Sequence, residues 1–162
     1  MSNNPTDPPV PLSNSQIQKI LERNRKIWFS LTLSTFFIFA IFAFAVGFDS
    51  TGETNFLSSI PYLIFIPTLP IAFIVRSVIR ERGRNEDKSV APDAYTRSNR
   101  FLWSAFVCSA LISTLFSFLL CPFYPTILPA IASFLILFFS YPKASPLKSQ
   151  TLEDEPASKI NV

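Results

Sequence analysis

The 162-residue chain predicts an all-α integral membrane protein of four transmembrane helices in two hairpins, with both termini on the cytoplasmic side. Three observations carry this expectation. Charged residues make up 15% of the chain, against about 25% in an average soluble domain, and 18 positions are phenylalanine. Four blocks, 27–48, 56–75, 101–120 and 124–141, contain no Asp, Glu, Lys, Arg or His. Their lengths of 22, 20, 20 and 18 residues match the roughly 20 needed to cross about 30 Å of hydrocarbon. A soluble chain of this size could not cover four such runs as buried core helices.

The third observation is the placement of charge. All 14 Lys and Arg fall in three segments. Lys19, Arg23, Arg25 and Lys26 precede the first block. Arg76, Arg80, Arg82, Arg84, Lys88, Arg97 and Arg100 lie between the second and third, and Lys143, Lys148 and Lys159 follow the fourth. Four spans put these segments on one face. The positive-inside rule makes that face cytoplasmic.

Residues 1–12, MSNNPTDPPVPL, hold four of the 14 prolines and predict a disordered tail. Residues 13–26 predict a short amphipathic juxtamembrane helix. Ser13 with Gln16, or Ser15 with Gln18, fits a capping box. Ile17, Ile20 and Leu21 form an apolar stripe flanked by Lys19, Arg23 and Lys26, suited to the inner membrane surface. The competing expectation is a plain helical extension of the first span. That span, 27–48, follows a polar tail, is long for the apolar region of a signal peptide and lacks a small-residue cleavage site. A retained span is therefore expected.

The second span, 56–75, carries Pro61, Pro67 and Pro70. Pro61 suits a first helical turn, behind Ser58 and Ser59 as caps. Pro67 and Pro70 are interior and are candidate kinks. They free the carbonyls of Leu63 and Ile66, which lipid cannot satisfy, so Thr68, a neighbouring helix, water or local 3₁₀ winding is expected to do so. The following segment, 76–100, is expected as a cytoplasmic loop with seven basic and four acidic residues. Each basic residue near anionic lipid adds roughly 1 kcal/mol of attraction. Ile79-Arg80-Glu81-Arg82 fits an arginine signal for retention in the endoplasmic reticulum, the membrane that spans of 18–22 residues also suit.

The third span, 101–120, carries a seam of small residues, Ala105, Ser109, Ser113 and Ser117, at intervals of four. Small residues let a second helix approach closely and bond across the gap. The partner is either the first or fourth span of the same chain, or another molecule. The fourth span, 124–141, includes Pro129 as a third candidate kink. Trp28 and Trp103 open spans one and three at the inner interface, Tyr62 and Tyr124 lie near outer ends, and Tyr141 closes the fourth span. Residues 142–162 are expected as a second disordered tail.

Chemistry is sparse. The chain has no histidine, and no span holds a carboxylate, lysine or arginine, so no proton relay of the charged type is expected. Cys108 and Cys121, 13 residues apart, would lie about 19 Å apart along a helix, too far for a disulfide. Three glycines cannot make a phosphate-cradling loop. No catalytic, metal-binding or cofactor-binding residue is expected, nor any cofactor or nucleic-acid partner. The expected partners are the lipid bilayer and another membrane protein or a second copy. The pattern implies a non-enzymatic accessory or assembly subunit acting through helix–helix contacts. A membrane-shaping double hairpin, or a carrier of a neutral or lipid-like solute gated at the proline kinks, are the alternatives.

Overall fold

The computed structural model describes residues 12–46, 56–85, 88–120 and 126–148. Among these the chain is all-helical, apart from turns and one isolated bridge between Arg84 and Val90. Three helices are long and apolar enough to cross a membrane: α1 (Asn14–Val46), α2 (Ile60–Arg82) and α3 (Pro92–Leu119). A shorter apolar helix, α4 (Leu128–Phe139), follows, with 3₁₀ turns at Phe56–Ser59 and Ser145–Leu147.

α1 starts at a capping box. The Ser13 N–H donates to Gln16 Oε1 (3.0 Å), and the Gln16 N–H donates to Ser13 Oγ (3.3 Å). No Gly or Pro interrupts residues 14–46, so residues 13–26 do not form a helix of their own. They continue into the first span as one helix of 33 residues. At 1.5 Å per residue that is about 50 Å, so the amphipathic end projects well past a 30 Å hydrocarbon layer.

α2 begins behind a 3₁₀ turn with Pro61 in its first turn. Ser59 stands at the cap position without bonding there through its side chain. The helix runs without a break through Pro67 and Pro70, which both lie on its exposed side. Thr68 Oγ1 donates to the Ile64 carbonyl (2.6 Å), one turn back, and not to the carbonyls of Leu63 or Ile66 that the prolines free.

The expected loop 76–100 is much shorter than its charge pattern suggests. Helix continues to Arg82 and resumes at Pro92, leaving a nine-residue connection, 83–91. The reason is that both apolar helices extend past their apolar windows through residues with no helix-breaking tendency. Gly83 ends α2 and donates its N–H to the carbonyls of Ile79 and Arg80 (3.2 Å each). A methyl group at Gly83 would overlap the Ala94 side chain, so glycine here sets how closely α2 and α3 meet. Ile79-Arg80-Glu81-Arg82 forms the last turn of α2, with Glu81 and Arg82 exposed.

α3 is the central helix. It packs against α1, α2 and α4, and twelve of its 28 residues are buried, against two of 23 in α2. α4 differs from the expected fourth span. Regular helix covers only Leu128–Phe139, 12 residues or about 18 Å, which is short of a full crossing. Pro129 lies in its first turn, where a missing N–H costs little, so it starts a helix instead of kinking one. The expected outer connections and Cys121 lie outside the described residues.

The expected tail after residue 141 is packed at its beginning. Leu147 is buried with Ile17, Leu21, Val90 and Tyr95, and Leu12 packs against the same group. The Val90 N–H donates to the Pro146 carbonyl (2.8 Å). Residues 149–162 lie outside the described part.

Polarity is inverted relative to a water-soluble fold. Phe44 is 95% exposed and Phe139 76%, with Ile41, Ile66 and Ile74 also outward. Inside are Asn24, Thr32, Thr35, Ser98, Asn99, Ser109, Ser113, Ser117 and Ser133. Large apolar side chains outside and hydroxyls inside are consistent with a protein integral to a membrane.

Candidate functional site

Two places in the fold bring polar side chains together: the seam along α3 and the ends of α2 and α3 that flank the 83–91 connection. Ser109, Ser113 and Ser117 are buried and Ala105 is half-buried. The occupant of the seam is α4 of the same chain. Ser133 on α4 hydrogen-bonds to Ser109 through their hydroxyls (3.0 Å). Towards the C-terminal end of α3, Phe118 packs on Ile127 and Ala130, and its ring meets Phe39 and Phe42 of α1 at 5.7 and 6.1 Å. Towards the N-terminal end of α3, Leu137 joins Leu102, Trp103 and Phe106. This order is that of antiparallel helices.

Of the three seam hydroxyls one, that of Ser117, turns back on its own helix, as does that of neighbouring Thr114. Ser117 Oγ donates to the Ser113 carbonyl and Thr114 Oγ1 to the Ala110 carbonyl, both at 2.8 Å. Ser113 Oγ is buried with no hydrogen-bond partner. Beside the seam an apolar cleft of about 170 Å³ opens between α1, α3 and α4, lined in part by Thr35, Phe36, Phe39, Thr114 and Phe134. Its two threonine hydroxyls are already bonded within their helices, so it presents methyl groups and rings.

Trp28 and Trp103 have a specific task. Trp28 Nε1 donates to the Leu137 carbonyl (2.8 Å), and Trp103 Nε1 to the Ser140 carbonyl (3.2 Å). The last carbonyls of a helix have no partner within it, and these two indoles supply donors at the end of α4. The Trp28 ring also stands edge-on to Tyr141 (5.0 Å), and the Arg25 guanidinium lies over that same Tyr141 ring (5.1 Å).

The second cluster lies beyond the apolar windows 56–75 and 101–120. Arg76 and Arg80, one turn apart on α2, both donate to Asn99 Oδ1, at 3.2 and 2.9 Å. Arg80 Nε donates to Ser98 Oγ (3.2 Å), and its guanidinium lies 5.6 Å above the Tyr95 ring. Tyr95 OH donates to the Lys143 carbonyl (2.8 Å). Nearby, Asn24 Nδ2 ties α1 to α3 through Thr96 Oγ1 (3.2 Å). Burial, reinforced by the neighbouring Arg76 charge, pushes the Arg80 guanidinium down to about 10, which leaves it charged at neutral pH. Burial moves the Tyr95 phenol in the opposite direction, upward.

Pro67 and Pro70 lie exposed on α2, and Pro129 is buried at the start of α4. The arginine cluster is absent from the sequence-predicted sites, although a signal exists: Arg76 with Arg80, and Tyr95 with Asn99, each repeat at the four-residue spacing that aligns side chains on one helix face. No protein-family model, curated protein or solved structure matches this chain, so its activity rests on the residues just described.

Proposed function

We propose that the chain is a non-enzymatic, multi-pass membrane protein with four membrane-inserted helical segments and cytoplasmic termini, working as an accessory or assembly subunit through helix–helix contacts. The observation that carries this reading is the inverted polarity: α1 and α2 present Phe29, Phe37, Phe44, Leu63, Ile66 and Ile74 outward. Only lipid or another apolar helix accommodates such faces without cost. The seam is taken up by α4, so a partner would meet the outer faces of α1 and α2.

The topology has its own support. Ile17, Leu21, Val90, Tyr95 and Leu147 pack together, which gathers the N-terminal part of α1, the 83–91 connection and the segment after α4 at one end. Those are the three basic segments, and the positive-inside rule assigns that end to the cytoplasm. Affinity purification of the full chain in mild detergent, followed by mass spectrometry, tests the role. A membrane protein recovered at fixed stoichiometry is the expected result. Recovery of the chain alone, from several detergents and after cross-linking, would remove the accessory role. The apolar cleft beside the seam would then favour the carrier of a lipid-like solute.

A further inference from the structure

We infer that the cavity at the inner ends of α2, α3 and α4 is a binding site for a phosphate group, with Arg76, Arg80 and Lys143 supplying its charge. The cavity holds about 210 Å³ and is lined by these three residues together with Tyr95, Ser140 and Ser145. Phe139 and Tyr141 also line it.

The charges here are not balanced within the fold. Among the described residues there is one ion pair, Arg84 with Glu81 (3.1 Å), and it involves neither Arg76 nor Arg80. Their acceptors are neutral: Asn99 Oδ1 is shared by both and Ser98 Oγ serves Arg80. A neutral oxygen satisfies an N–H but leaves the charge in place, and two guanidiniums converging on one oxygen repel each other. Arg76 Nε is buried and has no acceptor. Buried donors and half-buried cations in this state favour an anion with several acceptor oxygens.

Geometry and location select phosphate. Guanidinium forks match phosphate oxygens in pairs, and Lys143 adds a point charge from the exposed lip. The Ser145 hydroxyl also lines the cavity, whereas that of Ser140 is already spent on the Leu137 carbonyl. The site lies just past the apolar windows 56–75 and 101–120, and on the proposed topology that is where basic residues meet anionic lipid. A lipid phosphate and a free phosphate share this chemistry. The inference does not depend on the accessory role.

The test uses the full chain in neutral detergent. Phosphatidic acid and phosphatidylcholine are titrated separately and retention is read by native mass spectrometry; inorganic phosphate is titrated in parallel by thermal shift. Phosphatidic acid should be retained preferentially. Arg80→Gln should weaken it at least tenfold and Lys143→Gln about threefold, while Arg23→Gln, an exposed charge on α1 outside the cavity lining, should not. Lys143 is exposed, so its variant remains informative if Arg80→Gln folds poorly. Stabilisation by inorganic phosphate that Arg80→Gln abolishes would assign the site to free phosphate, and binding of lipid alone would assign it to a headgroup. Equal retention in wild type, Arg80→Gln and Lys143→Gln would overturn the inference, as would an equal loss in Arg23→Gln. It would also be overturned if retention required neutralising the acidic run at residues 153–155, because a carboxylate segment would then be the occupant.

Discussion

Trp28 Nε1 donates a hydrogen bond to the main-chain carbonyl of Leu137 at 2.8 Å, joining the start of the first apolar segment to the last turn of α4. The two residues are 109 positions apart, and the bond fixes where α4 ends against α1. Trp103 does the same for the next turn through the Ser140 carbonyl. Tryptophan at a membrane interface is usually explained by its amphipathic ring. Here the N–H also supplies a donor to a helix end.

Trp28→Phe keeps a ring and removes the N–H. The expected loss is about 1 kcal/mol, the usual net value of one hydrogen bond. Ser140 Oγ also donates to the Leu137 carbonyl (2.7 Å), so that oxygen is not orphaned in the variant. Chemical unfolding in micelles measures the difference. An unchanged midpoint would mean that ring packing alone gives Trp28 its part in the fold.

Gly83→Ala should destabilise the α2–α3 connection by about 1–3 kcal/mol, the range for overpacking a tight contact. The added methyl overlaps the Ala94 side chain, while the Gly83 backbone (φ −103°) is open to alanine, so the cost is steric. Adding Ala94→Gly should recover part of the loss. Without recovery in the thermal melt of the double variant, the overlap would not be the cause.

The helices and their inward hydroxyls were legible in the sequence because uncharged runs and four-residue spacing are local signals. The seam at Ser109, Ser113 and Ser117 could be found from spacing, but not its occupant, because Ser133 lies 24 residues from Ser109. The shortness of α4 was readable in principle from Pro129, which starts helices more readily than it kinks them. The packed segment at Leu147 was hidden because proline-rich, polar composition resembles a disordered tail, and only contact with Ile17 and Leu21 orders it. The unbalanced Arg76–Arg80 pair was masked by the abundance of basic residues around it, which topology alone would explain.

Cytoplasmic placement of the 83–91 connection has a direct test by labelling. Ser89 is buried and accepts a hydrogen bond from Asn85 (3.0 Å), so Lys88, which is exposed, is the position to probe. In a background with Cys108 and Cys121 replaced by serine, Lys88→Cys and Ser50→Cys should show opposite reactivity to an impermeant maleimide in sealed vesicles. Equal reactivity at both would exclude the paired-hairpin topology.

Ser113 separates two effects that a single substitution would confuse. Its side chain is fully buried against the helices around α3, and its hydroxyl has no partner. An unsatisfied buried hydroxyl costs free energy, so Ser113→Ala should be neutral or slightly stabilising. Leucine at the same place keeps the segment apolar enough to insert but adds bulk where α3 meets its neighbours. Overpacking of this kind costs about 1–3 kcal/mol. With the seam occupied by α4 through Ser109 and Ser133, that loss should appear as a lower melting temperature of the monomer. Any partner captured with the wild type should stay bound to Ser113→Leu until the chain unfolds. The reverse pattern, an unchanged monomer melt with the partner lost, would mean that this face serves another molecule and that α4 does not fill the seam in the membrane.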